Sequence, residues 1–169
     1  MSLSIRAFAG FVLMASVIVL GTALVSQYWG GLLPCELCLL QRWPWAAAIA
    51  ISLVALIADR PAMLPWAALL LAIVFAFGMA VAFYHVGVEQ HWFAGPSACT
   101  ASSSGALTVE DMKRLIIGTQ PVLCDRVQWS LLGVSMAGWN LLASLGMAAI
   151  CAEVCRRSRR SASRAPATA

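Results

Sequence analysis

The chain has 169 residues, of which 62% are hydrophobic and only 11% charged, with a formal net charge of +4. Its mean hydropathy is +0.86. So little polar surface cannot coat a soluble globule, which excludes an ordinary water-soluble domain and points to a protein whose solvent is lipid.

Four apolar stretches are long enough to cross a hydrocarbon core of about 30 Å at a rise of about 1.5 Å per helical residue. They fall near Ala7 to Ser26, Leu37 to Ala58, Met63 to Tyr84 and Leu131 to Cys151. Each is apolar on all sides, whereas membrane-spanning strands alternate apolar and polar faces and must close into a barrel. The expected fold is therefore an all-α membrane protein, a four-transmembrane-helix bundle filling residues 1–155, with a long loop, about 85–130, between the third and fourth helices. The first stretch follows Arg6 and has a cleaved signal peptide as its alternative. It exceeds the usual signal core and ends in "VSQYWGG" without a small-x-small cleavage site.

The second stretch opens with "GGLLPCELCLLQRWPW", which sets a Cys-x-x-Cys pair, Cys35 and Cys38, at the start of a membrane helix behind Pro34. Amides of a first helical turn and the positive end of the helix dipole favour a thiolate there, so the pair is poised for redox exchange. A bridge between residues three apart closes too small a loop to stabilise much, which argues against a purely structural role. Arg42 follows Cys38 by four residues and Cys35 by seven, so a helix puts all three on one face. A guanidinium at that depth either snorkels to headgroups, as the flanking Trp43 and Trp45 suggest, or meets an oxygen-rich partner such as the carbonyl of a lipid-soluble electron acceptor. His85, at the far end of the third stretch, is a candidate for the same pocket; a hydrogen-bonded belt histidine is the alternative.

The long loop carries Cys99 and Cys124. Alone they read equally as a staple or as a second redox pair. Zinc is a further alternative for four cysteines, but a second Cys-x-x-Cys knuckle is absent and no metal site is expected. Within the loop, "PSACTASSSGAL" supplies mobility. "LTVEDMKRLIIG" then reads as a short amphipathic helix capped by Thr108, with Val109, Met112, Leu115 and Ile116 on one face. Such a helix is expected to lie flat on the membrane surface.

With four spans both termini share a side, which carries Arg6, Arg60, Arg156, Arg157, Arg159, Arg160 and Arg164; the other side carries Arg42, Lys113, Arg114 and Arg126. The arginine excess puts both termini in the cytoplasm and the four loop and helix-start cysteines outside it. The tail "RRSRRSASRAPATA", residues 156–169, is expected to be disordered and to rest against the anionic headgroups of the lipid bilayer. Nucleic-acid binding, its rival reading, is not expected for a basic run set directly against a membrane span. Cys151 and Cys155 are expected to be small buried residues.

Three segments then carry a resemblance over nearly the whole chain: "CELCLLQRW", "FYHVGVEQHWFAGPSAC" and "CDRVQWSLLGVSMAGWN". In their order and spacing they resemble the DsbB family of disulfide-forming membrane oxidoreductases. The resemblance implies a bacterial inner-membrane protein that reoxidises a periplasmic thioredoxin-like oxidase of the DsbA type, passing its electrons to the membrane quinone pool, ubiquinone or menaquinone. It implies that Cys99 is attacked by the partner, that Cys124 is its companion, and that Cys38 is the thiolate facing quinone with Cys35 as its pair. Arg42 resembles the family's quinone-side arginine, and His85 a family histidine, with His91 the competing position. A vitamin K epoxide reductase relative places its Cys-x-x-Cys after the loop cysteines, the reverse of the order here. A tetraspan scaffold with two structural disulfides, the non-enzymatic alternative, leaves Arg42 and the helix-start position of the pair unexplained.

Overall fold

The computed structural model describes residues 4–96 and 122–164. Cys99, the expected flat helix of residues 107–118 and the last five residues lie outside them. Helix α1 spans Ile5–Tyr28, α2 Glu36–Leu40, α3 Arg42–Ala58, α4 Leu64–Glu89 and α5 Met136–Arg164. Segments Ile5–Tyr28, Glu36–Ala58, Pro61–Glu89 and Met136–Ser161 are each long and apolar enough to cross a membrane. The chain is a four-span membrane bundle, as its composition requires.

Local chemistry sets the helix ends. Ser4 caps α1 by accepting from the Ala7 amide at 3.1 Å. The second span is interrupted at Gln41, between α2 and α3. Pro44 explains the break: its ring lacks an N–H and crowds the carbonyl four residues back, that of Leu40, so one continuous hydrogen-bond ladder cannot form. The same proline is tolerated in the first turn of α3, where its amide has no helical partner to lose. Asp59 ends α3 in the left-handed conformation, φ 45°, and pairs with Arg6 at the foot of α1. A single 3₁₀ turn, Pro61–Met63, leads into α4.

Three boundaries differ from the sequence expectation. Helix α4 continues five residues past Tyr84 to Glu89, so His85 lies inside the helix and not at the start of a loop. The fourth span begins at Met136. The residues before it form a two-stranded hairpin in which Ser130 pairs with Ser135 and Leu131 with Val134. Leu132 and Gly133 turn it with positive φ at both positions, the backbone of a tight primed turn, and apolar character alone could not distinguish this from a helix start. The basic tail, expected to be disordered, is helical through Arg164. Glu153 accepts from Arg156 and Arg157, one turn on, and extending an existing helix needs no new nucleus.

Packing follows the rules of a membrane interior. Helix α4 lies against both α3 and α5, and α1 against α3. The core holds Phe75, Leu71 and Val12 with small residues such as Ala9, Ala48 and Ala68, while Phe11, Met14, Ile57, Ile73 and Phe77 face outward where lipid tails would meet them. Trp45 meets Phe75 edge to face at 5.1 Å. Gly78 lets α3 and α4 approach: a Cβ there would sit 3.1 Å from the Pro44 ring. Beyond α4 the chain folds back, with Phe93 stacked on Tyr84 and lying where a side chain at Gly87 would be.

Candidate redox site

Pro34 holds the chain extended ahead of α2, which makes Cys35 the N-cap residue. Its sulfur accepts from the Cys38 amide at 3.2 Å in place of the usual hydroxyl or carboxylate. One turn of helix brings Cys38 Sγ to 2.7 Å from Cys35 Sγ, with Cys35 donating and both thiols free. The hydrogen bond to Cys38, and then burial, push the Cys35 thiol well above its ordinary range. The sequence expectation of a thiolate at the helix start therefore moves by one turn: Cys35 keeps the proton, and Cys38 is the sulfur that receives the hydrogen bond.

All four spans wall the space in front of the pair. A cavity of about 420 Å³ is lined by Cys35, Cys38, Arg42, His85 and Glu89 together with apolar side chains of α1 and α5, among them Ile18, Leu20 and Met136. That volume lies in the range of small-ligand and cofactor pockets, and its mostly apolar wall with a few convergent polar groups is their usual composition. Arg42 is half-buried and turns inward, its Nη1 donating to Gln27 Oε1 at 2.6 Å and its Nη2 to the Ala23 carbonyl at 3.5 Å, both on α1. It does not reach outward along the lipid-facing side as the neighbouring exposed Trp43 does.

His85 is buried, with Nε2 3.7 Å from Cys35 Sγ. Its Nδ1 lies 2.7 Å from Gln41 Nε2. His91 is exposed and does not line the cavity, so of the two histidines the structure brings His85 to the cysteines. Cys35, Cys38 and His85 offer three ligand atoms within 4.8 Å of one another, the spacing of a metal-ligand set. Cys124, from the segment ahead of the hairpin, is fully buried and packs into one apolar cluster with Cys35, Leu37 and Val88. Cys99, the companion that the resemblance implies for it, lies outside the described residues. Cys151 and Cys155 are buried in the main core, apart from the cavity.

Sequence reasoning missed Gln41, Glu89 and Asn140. Glu89 is nearly inaccessible, with Oε1 3.9 Å from His85 Nε2 and Oε2 accepting from Ser135 at 2.5 Å. Asn140 donates to Gln41 at 2.5 Å and accepts from the Trp45 indole at 2.8 Å. A signal was present: a carboxylate one turn beyond a histidine at the end of an apolar run is a functional candidate by default, because an ionisable group at membrane depth is costly to keep.

Comparison with known proteins identifies relatives along nearly the whole chain. A family model described as Disulfide bond formation protein DsbB matches residues 5–154. The chain is 32% identical to the Disulfide bond formation protein B of Stutzerimonas stutzeri over 158 residues, 89% of this chain and 91% of that one. It is 33% identical to that of Methylococcus capsulatus over 83% and 86% of the two chains. With that of Verminephrobacter eiseniae the identity is 30%, over 96% and 93%. No solved structure matches the chain.

Proposed function

Because the chain belongs to the DsbB family of disulfide bond formation proteins, we propose that it is a thiol:quinone oxidoreductase. In this reading it reoxidises a periplasmic DsbA-type thiol oxidase and delivers the electrons to a membrane quinone, ubiquinone or menaquinone. The observation that carries the reading is the Cys35–Cys38 dithiol opening on an apolar cavity with Arg42 held on its wall.

Electrons move by two thiol–disulfide exchanges and one two-electron oxidation. A thiolate of the reduced partner attacks Cys99 in the Cys99–Cys124 disulfide, forming a mixed disulfide and releasing Cys124 as a thiolate. The partner's second thiolate resolves the mixed bond, so the partner leaves as a disulfide and the loop pair as a dithiol. The loop dithiol then reduces the Cys35–Cys38 disulfide in the same way, and the burial of Cys124 beside Cys35 supports that hand-over. The Cys35–Cys38 dithiol loses two electrons and two protons as its S–S bond reforms.

A quinone bound in the cavity would supply the acceptor for those two electrons and two protons. The residues fit such a group: the wall is mostly apolar, and Arg42 offers donors suited to a carbonyl oxygen. Cys38, which receives the Cys35 hydrogen bond, is the sulfur we assign to face it. Both termini are assigned to the cytoplasm and the four redox cysteines to the periplasm, on the arginine asymmetry.

Purified protein given a reduced dithiol partner and a soluble quinone should bleach the quinone absorbance in step with partner oxidation. Absence of quinone reduction in a folded preparation would sink the reading. Reporter fusions after Ala62 and after Ala169 should both report the cytoplasm, and a periplasmic signal at either would overturn the assigned sidedness.

A further inference from the structure

Polar side chains are sparse inside this bundle, yet four of them form one unbroken line that ends at the sulfur pair. The Trp45 indole Nε1 donates to Asn140 Oδ1 at 2.8 Å, Asn140 Nδ2 donates to Gln41 Oε1 at 2.5 Å, and Gln41 Nε2 stands 2.7 Å from His85 Nδ1. An indole N–H donates and offers no accepting lone pair. Asn140 must therefore turn its oxygen to Trp45 and its amino group to Gln41. Gln41 in turn must accept at its oxygen and donate from its nitrogen. His85 Nδ1 is then an acceptor, and in a neutral imidazole the proton is left on Nε2. Flipping either amide would set donor against donor and leave buried groups unsatisfied.

The surroundings of Nε2 agree independently. Cys35 Sγ lies 3.7 Å from it and Glu89 Oε1 3.9 Å. Sulfur and carboxylate both accept.

We propose that Trp45, Asn140 and Gln41 are positioning residues that lock His85 as its Nε2–H tautomer, so that it serves the Cys35–Cys38 pair as a fixed hydrogen-bond donor and not as a base. This deepens the thiol:quinone reading and rests on it for its catalytic consequence. With Nδ1 occupied, His85 cannot take up a thiol proton without breaking the line. As Cys35 gives up its proton when the S–S bond reforms, the Nε2–H bond to its sulfur becomes charge-assisted and stabilises the developing anion. The same lock separates redox chemistry from metal binding. Cys35, Cys38 and His85 are spaced like a ligand set, but a proton-bearing ring nitrogen has no lone pair to give a metal.

The test uses the full chain carrying His91→Gln, which leaves His85 as the sole histidine, since the sequence has two. It is labelled with ¹⁵N-histidine, placed in lipid bilayers, reduced with dithiothreitol and read by solid-state NMR, in which protonated and bare ring nitrogens resonate far apart. The proton should sit on Nε2 alone. Gln41→Glu replaces the donor by a second acceptor while still accepting from Asn140, so Nδ1 should become protonated. Trp45→Phe keeps a ring packed on Phe75 but removes the donor that sets the direction, so two tautomers should coexist.

Turnover with reduced partner and quinone should fall about tenfold or more in Gln41→Glu, the size expected for losing one charge-assisted hydrogen bond. A proton on Nδ1 or a tautomer mixture in the parent protein overturns the lock, as does Nε2–H alone in both variants. A shifted tautomer with unchanged turnover overturns the donor role. If Gln41→Glu does not fold, Trp45→Phe decides. A parent protein that reduces no quinone overturns the thiol:quinone reading, while the tautomer spectra still decide the lock.

Discussion

Cysteines occupy both ends of this bundle, and their surroundings give them opposite characters. At one end Cys35 and Cys38 sit at a helix start, hydrogen-bonded to each other and facing a cavity walled by Arg42, His85 and Glu89. At the other, Cys151 and Cys155 lie one turn apart within α5, buried in the apolar cluster with Ala9, Leu64 and Met147. The spacing hardly differs, three residues against four. What differs is the backbone and the neighbours. A helix start aims its amides at the first pair, whereas the second pair lies mid-helix, where every amide is already bonded within the ladder. Thiol chemistry follows from charge and donors around sulfur, and an apolar site makes the thiol a small packing residue.

The strongest way to break this contrast is at Cys124, which joins the loop to the reactive end. Cys124→Ser should abolish turnover and make mixed disulfides with the reduced partner accumulate on Cys99, visible on non-reducing gels. Full turnover in that protein would show the loop pair to be only a staple.

Arg42 sharpens the comparison next. If it donates to the electron acceptor, Arg42→Gln loses a charge-assisted hydrogen bond of about 1.5 to 3 kcal/mol, which raises the apparent quinone KM by roughly 10- to 150-fold. Arg42→Lys keeps the charge without the planar fork and should be intermediate, with partner exchange nearly unchanged in both. An unchanged KM in folded Arg42→Gln would return the residue to a role in holding α1 and α3 together through Gln27 and Ala23.

The far end should respond much less. Replacing Cys151 and Cys155 together by Ala should leave turnover intact and lower stability by about 1 kcal/mol per site through lost packing, measurable as a fall in Tm. Lost turnover with an unshifted Tm would give this end a redox role after all. The smallest effect is expected at Glu153→Gln, which removes the carboxylate that Arg156 and Arg157 share on the exposed extension of α5. Exposed pairs of this spacing contribute little, so the helical signal of the last two turns should drop slightly and thiol oxidation not at all.

Particular residues show what could be read from the chain and what could not. The spans were legible because lipid imposes one requirement, an apolar run of about 20 residues, and nothing in the tertiary structure can relax it. Their ends were less so. The Leu131 to Ser135 segment is as apolar as the helix it precedes, and only the paired backbone with positive φ at Leu132 and Gly133 distinguishes it. The helical tail was missed because its composition suggested a solvated chain, while its stability comes from continuity with a buried helix. Cys35, Cys38 and Arg42 were legible because they are close in sequence and share one turn chemistry.

By itself, then, the sequence determined the lipid setting, the four spans and the helix-start thiol pair, since each depends on neighbours within about 20 residues. Only the tertiary structure decided what surrounds those thiols. Gln41 meets His85 across 44 residues, Trp45 meets Asn140 across 95, and Asn140 meets Gln41 across 99. No local pattern encodes such contacts. They exist because three apolar helices, packing for their own reasons, enclose a few polar groups among apolar side chains, and those groups must then satisfy one another.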